Sequence, residues 1–124
     1  MESKINLALV GAGYWGKNLA RVFYELGVLK YICDPSEETL KNKSEKYPEI
    51  KTTVSFEDII SSQEINVVAI AAPSEKHYSL VKESLLAKKH VFVEKPLASK
   101  VEEGEELVEL AKQQGKVLFV GHIL

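Results

Sequence analysis

The chain has 124 residues, enough for one domain with a real core and too few for two domains of ordinary size. Hydrophobic residues make up 45% and charged residues 27%, the balance of a folded protein rather than a disordered one. The 16 basic and 18 acidic residues are interspersed and leave a formal net charge of -2, which argues against nucleic acid as a partner.

Short apolar runs alternate with longer amphipathic stretches from end to end, the pattern of a parallel sheet covered by helices. Residues 5–10 form an almost unbroken aliphatic run, as a strand needs when both its faces are covered. The run is far shorter than a membrane span and lacks the flanks of a secretion signal, so the expectation is a cytoplasmic protein with no membrane partner. Leu19, Val22, Phe23 and Leu26 then recur at helical spacing, and Gly27 supplies a left-handed stop. Residues 30–33 read as a second strand, with Cys33 a buried strand residue. As the only cysteine, it excludes an internal disulfide and a cysteine metal cage, and no metal is expected.

Pro35 stops that strand and Ser36 can cap a helix running to about Lys46. Pro48 marks a turn, 51–54 a third strand, and Ser55-Phe56-Glu57-Asp58 a capping box before a brief helix. Residues 66–72 make a fourth strand, and Pro73-Ser74 opens a helix to about Ala87 with Tyr78, Val81 and Leu85 as its apolar stripe. A fifth strand covers 90–93. Ser99 to Glu102 is a second capping box, the helix over 101–114 is stopped by Gly115, and 117–120 is a sixth strand. Right-handed crossovers between six parallel strands predict an α/β doubly wound sheet, a Rossmann fold in the order 3-2-1-4-5-6.

Gly11-Ala12-Gly13-Tyr14-Trp15-Gly16 follows the first strand and opens the first helix. Each glycine has its own task in the G-x-G-x-x-G pattern. Gly11 permits the tight turn, Gly13 leaves room for a pyrophosphate, and Gly16 lets the helix pack closely on the strand. The helix N-terminus then offers free N–H groups and partial positive charge to phosphates. By itself the spacing is a weak signal, but Asp34 ends the second strand about twenty residues on, as the dinucleotide fingerprint requires. Its carboxylate can accept from both hydroxyls of an adenosine ribose and repels a 2′-phosphate. No arginine follows, since the next residues are Pro35, Ser36, Glu37 and Glu38, so NAD is expected over NADP. Asp34 could also simply form the turn before proline. Tyr14 and Trp15 could shield the cofactor or equally serve packing.

In an open parallel sheet the ligand lies across the carboxyl ends of the strands. That singles out Ala71-Ala72-Pro73-Ser74-Glu75-Lys76-His77 after the fourth strand and Glu94-Lys95-Pro96 after the fifth. Charged residues at the rim of an apolar core point to function, although a solvated turn explains them as well. For His77 the plain reading is a first-turn surface or packing residue.

The ordered set of Gly-Ala-Gly-Tyr-Trp-Gly, Ala71-Ala72-Pro73 with His77, Glu94-Lys95-Pro96 and Gly121-His122 resembles the glucose–fructose oxidoreductase and inositol dehydrogenase family, Gfo/Idh/MocA, over essentially the whole chain. The resemblance implies that Lys95 lies near the nicotinamide ribose and the substrate hydroxyls as the catalytic candidate, that Glu94 helps hold it, and that Ala72, Pro73, His77 and Pro96 lie close to the cofactor. It also implies a second, substrate-binding domain that mediates oligomers. The expectation is therefore a dinucleotide-binding domain over 1–124 with the substrate domain absent, inactive alone and exposing apolar surface near Val120, Ile123 and Leu124 that favours self-association. The complete enzyme is expected to oxidise a secondary alcohol of a sugar, cyclitol or nucleotide sugar. The alternatives are a stand-alone, non-catalytic NAD-binding or redox-sensing module and a remnant that binds nothing.

Overall fold

The four aliphatic residues of β1, Leu7–Val10, are all buried, as a central strand between two helical layers demands. In the computed structural model, which describes residues 4–13 and 16–121, the chain continues through α1 (Lys17–Glu25), β2 (Leu29–Cys33), α2 (Glu37–Lys46), β3 (Lys51–Thr53) and α3 (Phe56–Ile60). Then come β4 (Val67–Ile70), a 3-10 turn (Ser74–Lys76), α4 (His77–Leu86), β5 (His90–Glu94), α5 (Val101–Gln114) and β6 (Leu118–Gly121). All five strand pairs are parallel and the order is β3-β2-β1-β4-β5-β6, the doubly wound topology expected.

Alternation along the strands sorts the core into two layers. Leu7, Leu9, Ile32 and Ala69 face α1 and α2, packing on Leu19, Ala20 and Leu40. Ala8, Val10, Val68, Ile70, Val91 and Val93 face the other way, onto Ile59 of α3, Val81 and Leu85 of α4 and Leu107 and Ala111 of α5. The register aligns Val10 with Cys33 and Ile70, and Ile70 with Val93, so the carboxyl ends of four strands finish level. Gly11, Asp34, Ala71 and Glu94 therefore come together at one edge.

Several local expectations change. β1 begins at Leu7, and Ile5 is exposed. On α1 the inward face is Leu19, Ala20 and Phe23, while Val22 and Leu26 are exposed. A nine-residue helix rises about 13 Å, close to the length of the four-residue strand beneath it, so Leu26 falls past the sheet. Val54 lies beyond β3 and is exposed, and β4 ends at Ile70 instead of Ala72. Neither capping box forms. Ser55 is the N-cap of α3 without a side-chain cap bond; its amide donates to Thr53 Oγ1 at 3.0 Å, and that hydroxyl donates to Asp58 Oδ2 at 2.6 Å, so Thr53 stands between the two groups that the box would join. At α5 the cap is Lys100, with no side-chain hydrogen bond, and Ser99 reaches Glu103 rather than the helix amides. Ser36 does cap α2, accepting from the Thr39 amide at 3.2 Å.

On β6, Val120 is exposed as expected, and Phe119 is exposed while stacking on Phe92. Ile123 and Leu124 lie outside the described residues. Among the described residues no helix is long and apolar enough to cross a membrane.

The turn after β1 sets the tightest packing. A Cβ at Gly16 would lie 2.0 Å from the Gly11 carbonyl oxygen, whereas one at Gly13 would meet nothing within 4 Å. Gly16→Ala is expected to cost on the order of 1–3 kcal/mol as the turn is forced open. Gly13→Ala should stay within about 1 kcal/mol of the wild type. Urea midpoints of the two variants check this, and equal midpoints would contradict it.

Candidate functional site

The site grows from the glycine turn. Gly11 has φ of +94°, a conformation that strains any side chain, and its missing Cβ would sit 2.8 Å from the Ala71 carbonyl. The turn is thereby pressed against the end of β4. Gly16 caps α1 and closes on Gly11 and Ala12, so its close approach is to the turn itself rather than to the strand. Gly13 between them is exposed and faces open space. This surface, at the N-terminus of α1, is what a diphosphate requires. Tyr14 and Trp15, expected to flank it, lie outside the described residues.

Asp34, the first residue after β2, is buried, and both its oxygens are held. Oδ2 accepts from the Ala12 amide at 2.9 Å and Oδ1 from the Ser36 amide at 2.9 Å. The carboxylate is thus locked against the glycine turn, with lone pairs remaining for further donors. Beside it opens a crevice of 540 Å³ running from Pro35 past Val54 and Phe56 to Ala72 and Pro73. Cys33 also lines it. Burial pushes the Cys33 thiol up to about 11, with the charges of Asp34 and Asp58 adding to the effect, so it is a protonated wall rather than a nucleophile. Val54 and Phe56 were not singled out from sequence. Their signal was position, immediately after β3 at the same sheet edge.

On the far side of the switch between β1 and β4, His77 is almost wholly buried. Its Nε2 lies 2.8 Å from the Ala72 carbonyl oxygen and its Nδ1 2.6 Å from that of Pro96. Both carbonyls only accept, so either neutral tautomer donates to one of them, and the ring spans the ends of β4 and β5. The surface reading of His77 is thereby corrected to a buried bridge. Pro73 is exposed, and its carbonyl accepts from the Lys76 amide at 2.9 Å.

Glu94 is the last residue of β5 and half-buried, whereas Lys95 and Pro96 are exposed and joined by a cis peptide bond. The Lys95 amide donates to the Gly121 carbonyl at 2.9 Å, which extends the β5–β6 ladder by one residue and leaves the lysine side chain outside the core. The described residues singled out from sequence thus lie on one sheet edge: Gly11, Gly13, Gly16 and Asp34 on one side of the switch, Ala72, Pro73, His77, Glu94, Lys95 and Pro96 on the other.

Comparison with known proteins matches residues 5–122 to a family model described as "Oxidoreductase family, NAD-binding Rossmann fold", the Gfo/Idh/MocA group. Over 97% of its length the chain is 32% identical to the 2,7-anhydro-N-acetylneuraminate hydratase of Escherichia coli, of which it covers 32%. Among solved structures it superposes with a TM-score of 0.87 and 30% identity on the WlbA dehydrogenase from Bordetella pertussis in complex with NADH and UDP-GlcNAcA, covering 96% of this chain and 36% of that one. The biliverdin reductase from Synechocystis in complex with biliverdin and NADP+ gives a TM-score of 0.88 at 30% identity, covering 95% and 38%. The chain spans about a third of the length of the curated relatives it matches. With glycine turn, strand-end aspartate and Glu-Lys-Pro edge carried on this sheet, the chain belongs to the Gfo/Idh/MocA oxidoreductase family, as its NAD-binding Rossmann domain.

Proposed function

We propose that this domain holds NAD with the diphosphate over residues 11–16, the adenosine ribose on Asp34 and the nicotinamide toward Lys95, and that the complete protein oxidises a secondary alcohol of a sugar, cyclitol or nucleotide sugar. One observation carries the reading: Gly11 and Gly16 sit where no Cβ fits, Gly13 faces open space, and the Asp34 carboxylate is bonded to the amide between Gly11 and Gly13. The apolar crevice between Pro35, Val54 and Ala72 fits the flat face of an adenine.

NAD supplies the hydride acceptor. The chain's own part is to orient and stabilise. Lys95, on the exposed end of β5, hydrogen-bonds the substrate hydroxyl and offsets the negative charge that grows on its oxygen. His77 sets the height of that strand end through Pro96 and ties it to Ala72. The similarity to a hydratase of an anhydro-sialic acid and to a dehydrogenase bound to UDP-GlcNAcA favours a sugar-type substrate. The second domain implied by the relatives' length would supply the remaining substrate contacts.

Calorimetric titration with NADH is expected to give a Kd between micromolar and millimolar, and Gly13→Val to weaken it by about tenfold or more, since a branched side chain fills the phosphate space. No binding by the wild type would end the reading. Asp34→Ser combined with Pro35→Arg should shift preference toward NADP, and an unchanged preference would remove Asp34 from the ribose. In the complete protein, Lys95→Met is expected to lower kcat by about a hundredfold. Retention of full turnover would take Lys95 out of the chemistry.

A further inference from the structure

The sheet has two free edges, and they differ. β3, at one end, consists of Lys51, Thr52 and Thr53, short and polar, as edges that stay unpaired generally are. β6, at the other end, is Leu118-Phe119-Val120-Gly121, with Phe119 56% and Val120 40% exposed. Neither a charge nor a proline interrupts it, and among the described residues no strand lies beyond it. An apolar edge of this kind is a template for another strand.

The ladder shows which groups this edge offers. The Val91 amide donates to the Val117 carbonyl and the Lys95 amide to the Gly121 carbonyl, both at 2.9 Å, while Val91 is paired with Leu118 and Val93 with Val120. In a parallel pair such bonds fall on alternate residues, so 117, 119 and 121 spend their main-chain groups on β5. Leu118 and Val120 turn theirs outward. Two such edges set antiparallel about a two-fold axis at Phe119 place Leu118 of one protomer opposite Val120 of its partner, and each such pair exchanges both its N–H and C=O groups. Each Phe119 then faces its own copy as a non-hydrogen-bonded pair, where side chains approach most closely.

The helix above the edge obeys the same symmetry. On α5, Leu107 and Ala111 face the sheet, and Glu106, Leu110 and Gln113 turn toward α4. That leaves Val101, Glu105, Val108 and Lys112, at helical spacing, on the side overlooking β6. Val101 is 74% and Val108 45% exposed, and both charges are exposed. Phe119 lies about 7 Å along the strand from Val117, which corresponds to about five residues back along the antiparallel α5 from its end at Gln114. The axis at Phe119 therefore passes near Val108 and Glu109, and it brings Glu105 of each protomer toward Lys112 of its partner. With strands about 4.8 Å apart, the two α5 helices come to about 10 Å, an ordinary packing distance. We propose that the β6 edge and the outer side of α5 form a two-fold interface with a second copy of this chain, which joins the two sheets into one. Many strands could take the edge; a copy also returns a lysine to Glu105 and a glutamate to Lys112 by symmetry. The surface is small, so the dimer is of micromolar strength rather than obligate.

The test is sedimentation equilibrium of the chain at concentrations from about 1 to 500 μM, where a reversible dimer with a Kd of about 10–100 μM is expected. Phe119→Lys, which sets two like charges at the axis, should weaken it by about tenfold or more. Glu105→Lys and Lys112→Glu should each weaken it severalfold, and the two together should restore it, a pattern that a change in folding would not produce. Hydrogen exchange should slow at the Leu118 and Val120 amides as concentration rises, and stay unchanged at Phe119, whose amide already bonds to β5. A chain that remains monomeric at the highest concentration overturns the proposal. So does a dimer that ignores both Phe119→Lys and the charge reversals, since it would use another surface. Should Phe119→Lys fail to fold, the reversals at the exposed Glu105 and Lys112 decide the matter. Either result leaves the NAD reading untouched, because β6 lies at the other end of the sheet from Asp34.

Discussion

The backbone at position 11 meets the backbone at position 16 so closely that a single methyl group at the latter would overlap a carbonyl oxygen. That contact bends the chain from β1 straight into α1 and fixes the direction in which the first amides of the helix point. Gly11 presses at the same time on Ala71, so the turn is registered against β4, and the Ala12 amide bonds to Asp34, so it is registered against β2. One tight turn thus sets the relative positions of three strand ends. A loosened turn would leave the core largely intact while separating the groups at its edge.

The sheet does the rest by topology. Because the order reverses between β1 and β4, the crossovers leave α1 and α2 on one face and α3, α4 and α5 on the other, and no helix closes the gap between the two central strands. The crevice beside Asp34 opens from that gap. The central strands β1 and β4 are aliphatic throughout, so the polar groups beside them appear where the chain leaves the sheet, and the level register gathers those ends into a single row. His77 then ties the β4 end to the β5 end through two carbonyls. A shift in either strand would be felt at Lys95 through Pro96.

What could be read from the sequence followed from how strongly each feature is constrained. The central strands β1 and β4 are covered on both faces and leave aliphatic runs, whereas β3 (Lys51–Thr53) is polar and was legible only from the turn residues around it. Helix faces were less so. The periodicity of α1 continued into Leu26 because the residues continue, but the sheet beneath it had already ended. Ser55 is the N-cap of α3 as read, but its capping box does not close because the Thr53 hydroxyl accepts from the Ser55 amide and donates to Asp58, a competition that a local pattern does not show. Lys43 is buried on α2, although a lysine on a charged helix ordinarily faces water. Its spacing of three from the buried Leu40 placed it on the inner face, and that was the signal available. His77 was legible as a position and not as a bridge, since both its partners are main-chain carbonyls, which carry no side-chain signature.

Asp34 illustrates why geometry matters more than residue type at such an edge. A free carboxylate on a loop would pay rotamer entropy to meet a sugar and would repel any nearby phosphate over a wide arc. Here two backbone amides hold the group in one orientation before any ligand arrives, and they draw part of its negative charge into the turn. A fixed acceptor of this kind needs no reordering to meet a donor, so its orientation is set by the fold before any partner binds.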